Sequence, residues 1–227
     1  MGYFTPEMFT FLRQLKRNNN RDWFNKNKER YLADVQQPAL DFIADVGASL
    51  RKISPNFVAD PRPFGGSLMR VYRDTRFSKD KTPYKTNIGI SFPHRTAKDI
   101  HEPGFYLHVQ PGEAFLGAGI WRPETKTATA IRQAIVNRPA AWKKAVHAPP
   151  FSKSFRISSE SSLARPPRGF DPEHPFVQDL KLRDFIGIRE LDEKTVTSQR
   201  FLETFVAACK DAAPLMRFLC EALGLQY

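Results

Sequence analysis

Gly104-Phe105-Tyr106-Leu107-His108-Val109-Gln110-Pro111-Gly112-Glu113-Ala114-Phe115-Leu116-Gly117-Ala118-Gly119-Ile120-Trp121 decides the fold of this chain. Apolar residues alternate on either side of a Pro-Gly turn signal, the pattern of an antiparallel hairpin. In the first arm, Gly104 to Gln110, side chains of Phe105, Leu107 and Val109 share one face, and Tyr106, His108 and Gln110 take the other. In the second arm, Ala114 to Trp121, Leu116, Ala118 and Ile120 share a face. Phe115, Gly117, Gly119 and Trp121 oppose them. Two glycines beside two aromatics leave an open floor, which a ligand or a helix could approach.

The same period of two marks Ser67 to Tyr72, Asn87 to Phe92 and Phe185 to Leu191 as strands. Before them the period is helical. Thr5-Pro6-Glu7 supplies an N-cap hydroxyl, a proline at the first helical position and a first-turn acid, followed by Met8, Phe11, Leu12 and Leu15. Asn18-Asn19-Asn20 ends that helix, a second starts near Arg21-Asp22, and Pro38 opens a third that stops at Ser54-Pro55. Beyond the hairpin, helices are expected from Pro123-Glu124, from Arg138-Pro139, over Phe176 to Leu182, and from Thr197 to Leu223 with an interruption at Pro214. Helices, then strands, then mixed elements point to an α+β fold. An antiparallel sheet of about five strands packs with N-terminal, middle and C-terminal helices. The chain of 227 residues reads as a single domain, 1–227. Residues 1–54 are its helical part, 66–122 its central strands, and 123–227 its later helices with one further strand.

Nineteen phenylalanines make the core aromatic-rich. No secretory signal and no membrane span are legible, so the expected location is the cytoplasm. Cys209 and Cys220 lie eleven positions apart on one helix, roughly 16 Å, too far for a disulfide. His94, His101, His108, His147 and His174 show no metal-ligand spacing, and no metal site is expected. No cofactor is identified, and no P-loop, dinucleotide fingerprint, helix-turn-helix or serine elbow is present.

Charge is the strongest functional signal. Lys plus Arg exceed Asp plus Glu, 35 against 24, a net +11. Arg70-Val-Tyr-Arg73-Asp74-Thr-Arg76-Phe-Ser-Lys79-Asp80-Lys81-Thr-Pro83-Tyr84-Lys85 concentrates six cations against two acids. Arginine forks and lysine point charges suit phosphate or carboxylate. Arg70, Arg73, Arg76, Lys79, Lys81 and Lys85 are therefore the candidate anion-binding residues. Asp74, Tyr84, Tyr106, His108 and Trp121 are the candidate pocket-lining residues. The alternative is an internal network in which Asp74 and Asp80 hold the cations. Tyr84 and Ser78 could take part in chemistry near these cations, or only bond the loop. His108 beside Tyr106 is the histidine best placed for acid–base work. Trp23 and Phe24 with Asn19 and Arg21 could present a stacking surface, or be core and cap. Arg165, Arg168 and Lys153 add charge to a proline-rich loop.

Four blocks resemble the domain-of-unknown-function family 2461: Asn19-Asn20-Arg21-Asp22-Trp23-Phe24; Arg73 to Lys85; Gly117-Ala118-Gly119-Ile120-Trp121-Arg122-Pro123; and Arg165-Pro166-Pro167-Arg168-Gly169-Phe170 with His174-Pro175. The resemblance spans nearly the whole chain. It implies a single-domain intracellular protein and assigns no reaction. The function expected from the residues is binding of a phosphorylated small molecule or nucleotide at the basic segment, with or without catalysis. Nucleic-acid association is the rival partner class, and a structural or partner-binding domain is the third reading.

Overall fold

The computed structural model describes residues 2–97 and 101–227. Five antiparallel strands form one sheet: β1 Ile88–Pro93, β2 Gly104–Gln110, β3 Glu113–Ile120, β4 Arg156–Ile157 and β5 Phe185–Leu191, in the order β1-β2-β3-β5-β4. The helices are α1 Pro6–Arg17, α2 Arg21–Lys26, α3 Lys28–Tyr31, α4 Gln37–Ile53, α5 Thr125–Asn137, α6 Pro139–Val146, α7 Phe151–Ser154, α8 Val177–Leu180, α9 Glu193–Val196 and α10 Phe201–Ala222. A π-helical turn, Leu32–Gln36, joins α3 to α4.

The register stacks residues of like parity. Ile90 lies opposite Leu107, Leu107 opposite Leu116, and Ala118 opposite Gly187. The face carrying Ile90, Phe92, Phe105, Leu107, Leu116 and Ile120 is buried. Helix α10 packs on it and against α4 and α6, supplying Phe205, Cys209, Ala212, Leu215, Met216 and Leu219, all 1% exposed or less. Of these, Phe205, Leu215, Met216 and Leu219 each contribute roughly 1.5–3 kcal/mol of transfer free energy. An aromatic cluster joins the segment before α1 to α4 and α10. Phe4 contacts Phe42 and Phe201, and Phe42 meets Phe205 edge-on at 5.2 Å. Arg189, the charged residue of β5 on this face, pairs with Asp211 of α10 at 3.7 Å. Cys209 and Cys220 are free and buried, and burial raises both thiols. No helix among the described residues is long and apolar enough to cross a membrane.

Several sequence expectations are corrected. Ser67 to Tyr72 is not a strand. It makes only isolated bridges, Leu68 to Ile90 and Tyr72 to Tyr84, with backbone bonds such as Lys85 N–H to Val71 O at 2.7 Å. Pro83 has no N–H to give a ladder, and the chain bends at Thr86-Asn87 before β1 begins. The result is an irregular two-armed ribbon leading off β1. The fifth strand is instead Arg156–Ile157, in the proline-rich segment, so the C-terminal part contributes two strands rather than one. Helix α10 runs without a break through Pro214. Burial of its inner side outweighs the lost hydrogen bond, about 3 kcal/mol. The Thr5 side chain bonds Glu7 and makes no cap to the α1 backbone. Asn20 does cap α2, accepting from the Trp23 N–H at 2.9 Å.

Gly119 has φ +141, and a Cβ there would stand 2.0 Å from the Phe185 carbonyl oxygen. That contact is with backbone and has no flexible way out. Gly119→Ala is expected to cost about 3 kcal/mol in urea unfolding. Gly117→Ala, whose Cβ would meet nothing nearer than 3.8 Å, should stay within about 0.5 kcal/mol of wild type.

Candidate functional site

Among the described residues, no helix layer covers the second face of the sheet along β2, β3 and β5. There Tyr106 and His108 of β2, Phe115, Gly117 and Gly119 of β3, and Ile186 and Ile188 of β5 line a cleft of about 630 Å³. The register sets Tyr106 opposite Gly117, and Gly117 opposite Ile188. The missing side chain at 117 is therefore an opening in the middle of the floor. Met69 reaches in from the ribbon. Glu102, Trp121, Arg122, Ser158, Glu160, Ser161 and Asp184 form the rim.

The floor has one polar pair. The Tyr106 hydroxyl lies 3.3 Å from His108 Nδ1. Room for it is made by Gly89, where a Cβ would come within 2.7 Å of the hydroxyl oxygen. His108 stacks flat on Phe115, with centroids 4.9 Å apart and planes 5° apart. Its Nε2 is buried and has no hydrogen-bond partner. Burial lowers the His108 pKa below its ordinary 6.5, against a smaller opposing pull from Glu113. Burial also pushes the Tyr106 hydroxyl up to about 12, with Glu113 acting the same way. At neutral pH the pair is an uncharged phenol and an uncharged imidazole, which can exchange donor and acceptor roles with a ligand.

The rim is held by tight local geometry. Trp121 stacks with His101 at 5.6 Å and has the Arg122 guanidinium 4.6 Å from its ring centre. Arg122 has φ 47, the one left-handed non-glycine among the described residues. Its backbone N–H donates to buried Asp184 at 2.6 Å. Strain of this kind collects at functional sites. Among the described residues no group of three His, Cys, Asp or Glu side chains could hold a metal ion. His94 is tied to Thr96 and the Gln226 carbonyl, and His147 faces Asp179 at 3.1 Å.

Of the residues singled out from the sequence, Tyr106, His108 and Trp121 lie on the cleft. The other eight lie outside its lining, on the ribbon. Arg73 is bonded to Asp80 and Thr82. Arg76 forks onto Asp74 at 3.0 and 2.7 Å. The guanidinium beside Asp74 holds that carboxyl down at about 2, and Arg73 does the same for Asp80. Lys81 donates to the Thr75 carbonyl at 2.9 Å. Arg70 and Lys79 are exposed and make no ion pair among the described residues. Lys85 is half-buried; burial, and then Arg70, lowers its pKa. Tyr84 points inward. It is 2% exposed and stacks on Phe24 at 4.0 Å. Trp23 and Phe24 are accordingly packing residues: Phe24 is buried and Trp23 lies 5.7 Å from Phe11.

The Asn19 side chain binds both sides of the Tyr84 backbone. Its Nδ2 donates to the Tyr84 carbonyl at 2.9 Å, and its Oδ1 accepts from the Tyr84 N–H at 3.0 Å. Two of the blocks that carry the family resemblance thus meet at one point, and a third, Gly117 to Pro123, forms the floor and rim of the cleft. A family model described as a conserved hypothetical protein, DUF2461, matches residues 7–218. The chain belongs to the DUF2461 family. No curated protein and no solved structure matches it. The family description carries no activity, so chemistry must be argued from the cleft and the ribbon.

Sequence reasoning passed over the rim residues Arg122, Ser158, Ser161 and Asp184, and the floor residues Ile186 and Ile188. The parity of Phe185–Leu191 held a signal for the last two. Apolar side chains fall on both of its faces, as expected of a strand covered on one side and lining a cleft on the other.

The His108 environment has a pH signature. The unfolded chain takes a proton near pH 6.5, while the folded chain resists it to lower pH. Stability should therefore fall as pH drops from about 6.5 toward the folded midpoint, and hold above that window. A proton-NMR titration of His108 should give a midpoint below 6.5. Phe115→Ala, which opens the stacked ring to water, should move it back up, and His108→Gln should remove that part of the pH dependence of unfolding.

Proposed function

We propose that this protein binds a small molecule in the cleft on the open face of its sheet. A flat, mainly apolar body lies over Phe115, Gly117, Ile186 and Ile188. A hydrogen-bonding edge meets Tyr106 and His108. The observation that carries this reading is the side-chain-free position Gly117 at the centre of an apolar sheet face that no helix covers. The cleft has the size and the apolar-with-few-polar composition of small-molecule sites. Its rim carries Glu102, Glu160 and Asp184 against Arg122, which suits a neutral or cationic group better than a phosphate. Binding is the reading; the neutral Tyr106–His108 pair could pass a proton to a bound ligand, and that is the extent of the chemistry assigned.

A second reading places an anion on the ribbon. Its support is the proximity of Arg70 and Lys85. Burial first, and then the Arg70 charge, lowers the Lys85 pKa; the Arg70 part is a like-charge repulsion that a phosphate group would relieve. A phosphorylated small molecule or nucleotide would then bind there, outside the cleft.

The two readings separate in one experiment. Protein purified under native conditions is denatured, and the released small molecules are identified by mass spectrometry. A ligand retained by wild type and by Arg70→Gln, but lost from folded Gly117→Val, supports the cleft. A ligand lost from Arg70→Gln and retained by Gly117→Val supports the ribbon. A compound retained equally by both variants removes both. Added back in excess, the identified compound should raise the melting temperature of wild type, and leave unchanged that of the variant that lost it.

A further inference from the structure

Phe77 is the most exposed large apolar side chain of the described chain, 95% open to solvent. It stands in the segment that returns the ribbon on itself, between Arg76 and Lys79. Its ring has the Arg76 guanidinium 5.8 Å from its centre and is otherwise uncovered. On the same ribbon Tyr72 is 53% exposed, two positions from exposed Arg70. Exposed rings and exposed cations thus occur together on one short segment: Arg70, Tyr72, Phe77, Lys79 and Lys81. Two of the six cations are neutralised by Asp80 and Asp74. Four keep their charge, 6 − 2 = 4, on a chain whose net charge is already +11.

We infer that this ribbon binds single-stranded nucleic acid, its phosphates against Arg70, Lys79, Lys81 and Lys85 and its bases stacked on Phe77 and Tyr72. The inference rests on the anion reading of the ribbon and adds the identity of the anion. Cations that track a backbone, interleaved with rings that accept any base, are how proteins hold single strands without sequence preference. The two structural ion pairs have a place in this arrangement. Arg73–Asp80 and Arg76–Asp74 fix the turn, so that Phe77 is presented rather than folded back. An anionic lipid surface is the less favoured partner. Membrane-seated segments carry a continuous apolar face, whereas here single rings are separated by charges.

The test is fluorescence anisotropy on the full chain, with a labelled oligothymidylate and an abasic oligomer of equal length. The thymidylate should bind more tightly than the abasic strand. With four cations on a single strand, the slope of log affinity against log salt should be about −0.7 × 4, or roughly −3. That is a loss of about fifty-fold between 50 and 200 mM salt. Phe77→Ala should weaken thymidylate binding about tenfold and leave the abasic strand unchanged. Being a fully exposed position, it should leave the urea midpoint unmoved. Lys79→Gln should weaken both strands alike and flatten the slope by about 0.7. If both strands bind equally and Phe77→Ala changes neither, base stacking is overturned while the anion reading survives. If neither strand binds at low salt, the inference falls, while the anion reading stands or falls by the released-ligand comparison of Arg70→Gln with Gly117→Val. Phe77-dependent binding to phosphatidylserine vesicles, with no affinity for either strand, would assign the ribbon to a lipid surface and overturn the inference.

Discussion

One face of the sheet must be buried, and α10 is the element that buries it. The side chains of Leu107, Leu116 and Ile120 alternate with those of Tyr106 and Phe115 and with the bare position Gly117. A shift of one residue in register would therefore exchange the whole apolar set for the cleft-lining set. Helix α10 has enough buried surface to survive Pro214 in its interior, and Arg189 can sit on the core face because Asp211 meets it there. With that face sealed, the described residues supply no further helix layer for the opposite face along β2, β3 and β5. The cleft is the consequence: an apolar sheet surface with a gap at Gly117, edged by loops.

The second organising contact is the clamp of Asn19 on the Tyr84 backbone, backed by the Phe24–Tyr84 stack. It joins the N-terminal helices to the ribbon through a side chain that imitates a strand partner. It also explains a division of labour among the ribbon residues. Tyr84 turns in and anchors. Arg73 and Arg76 are engaged by Asp80 and Asp74 and shape the turn. The charges that remain for a partner are those without a carboxylate.

Cleft and ribbon touch through Met69, which lines the cleft while its backbone N–H bonds the Gly89 carbonyl at 2.9 Å. Gly89 in turn makes space for the Tyr106 hydroxyl. The two surfaces differ in chemistry, one apolar with acidic side chains at its rim and one basic with exposed rings.

The sequence by itself determined the α+β class, the hairpin with its two faces, the helical N-terminal quarter and the cation-rich segment. Each is a local pattern: parity in strands, spacing in helices, charge density in a loop. It also placed Tyr106, His108 and Trp121 on one side with the two glycines, because parity holds wherever a strand forms. Only the tertiary structure decided which edge received the fifth strand. A two-residue strand such as Arg156–Ile157 has no period to read, and its pairing depends on β5 being in place. Only it separated the basic segment from the cleft, for the direction of a loop side chain is set by the carboxylates it meets. It alone brought Asp184, Arg122 and Ser158 to the rim, from stretches distant in sequence, and turned Tyr84 from a candidate pocket residue into an anchor.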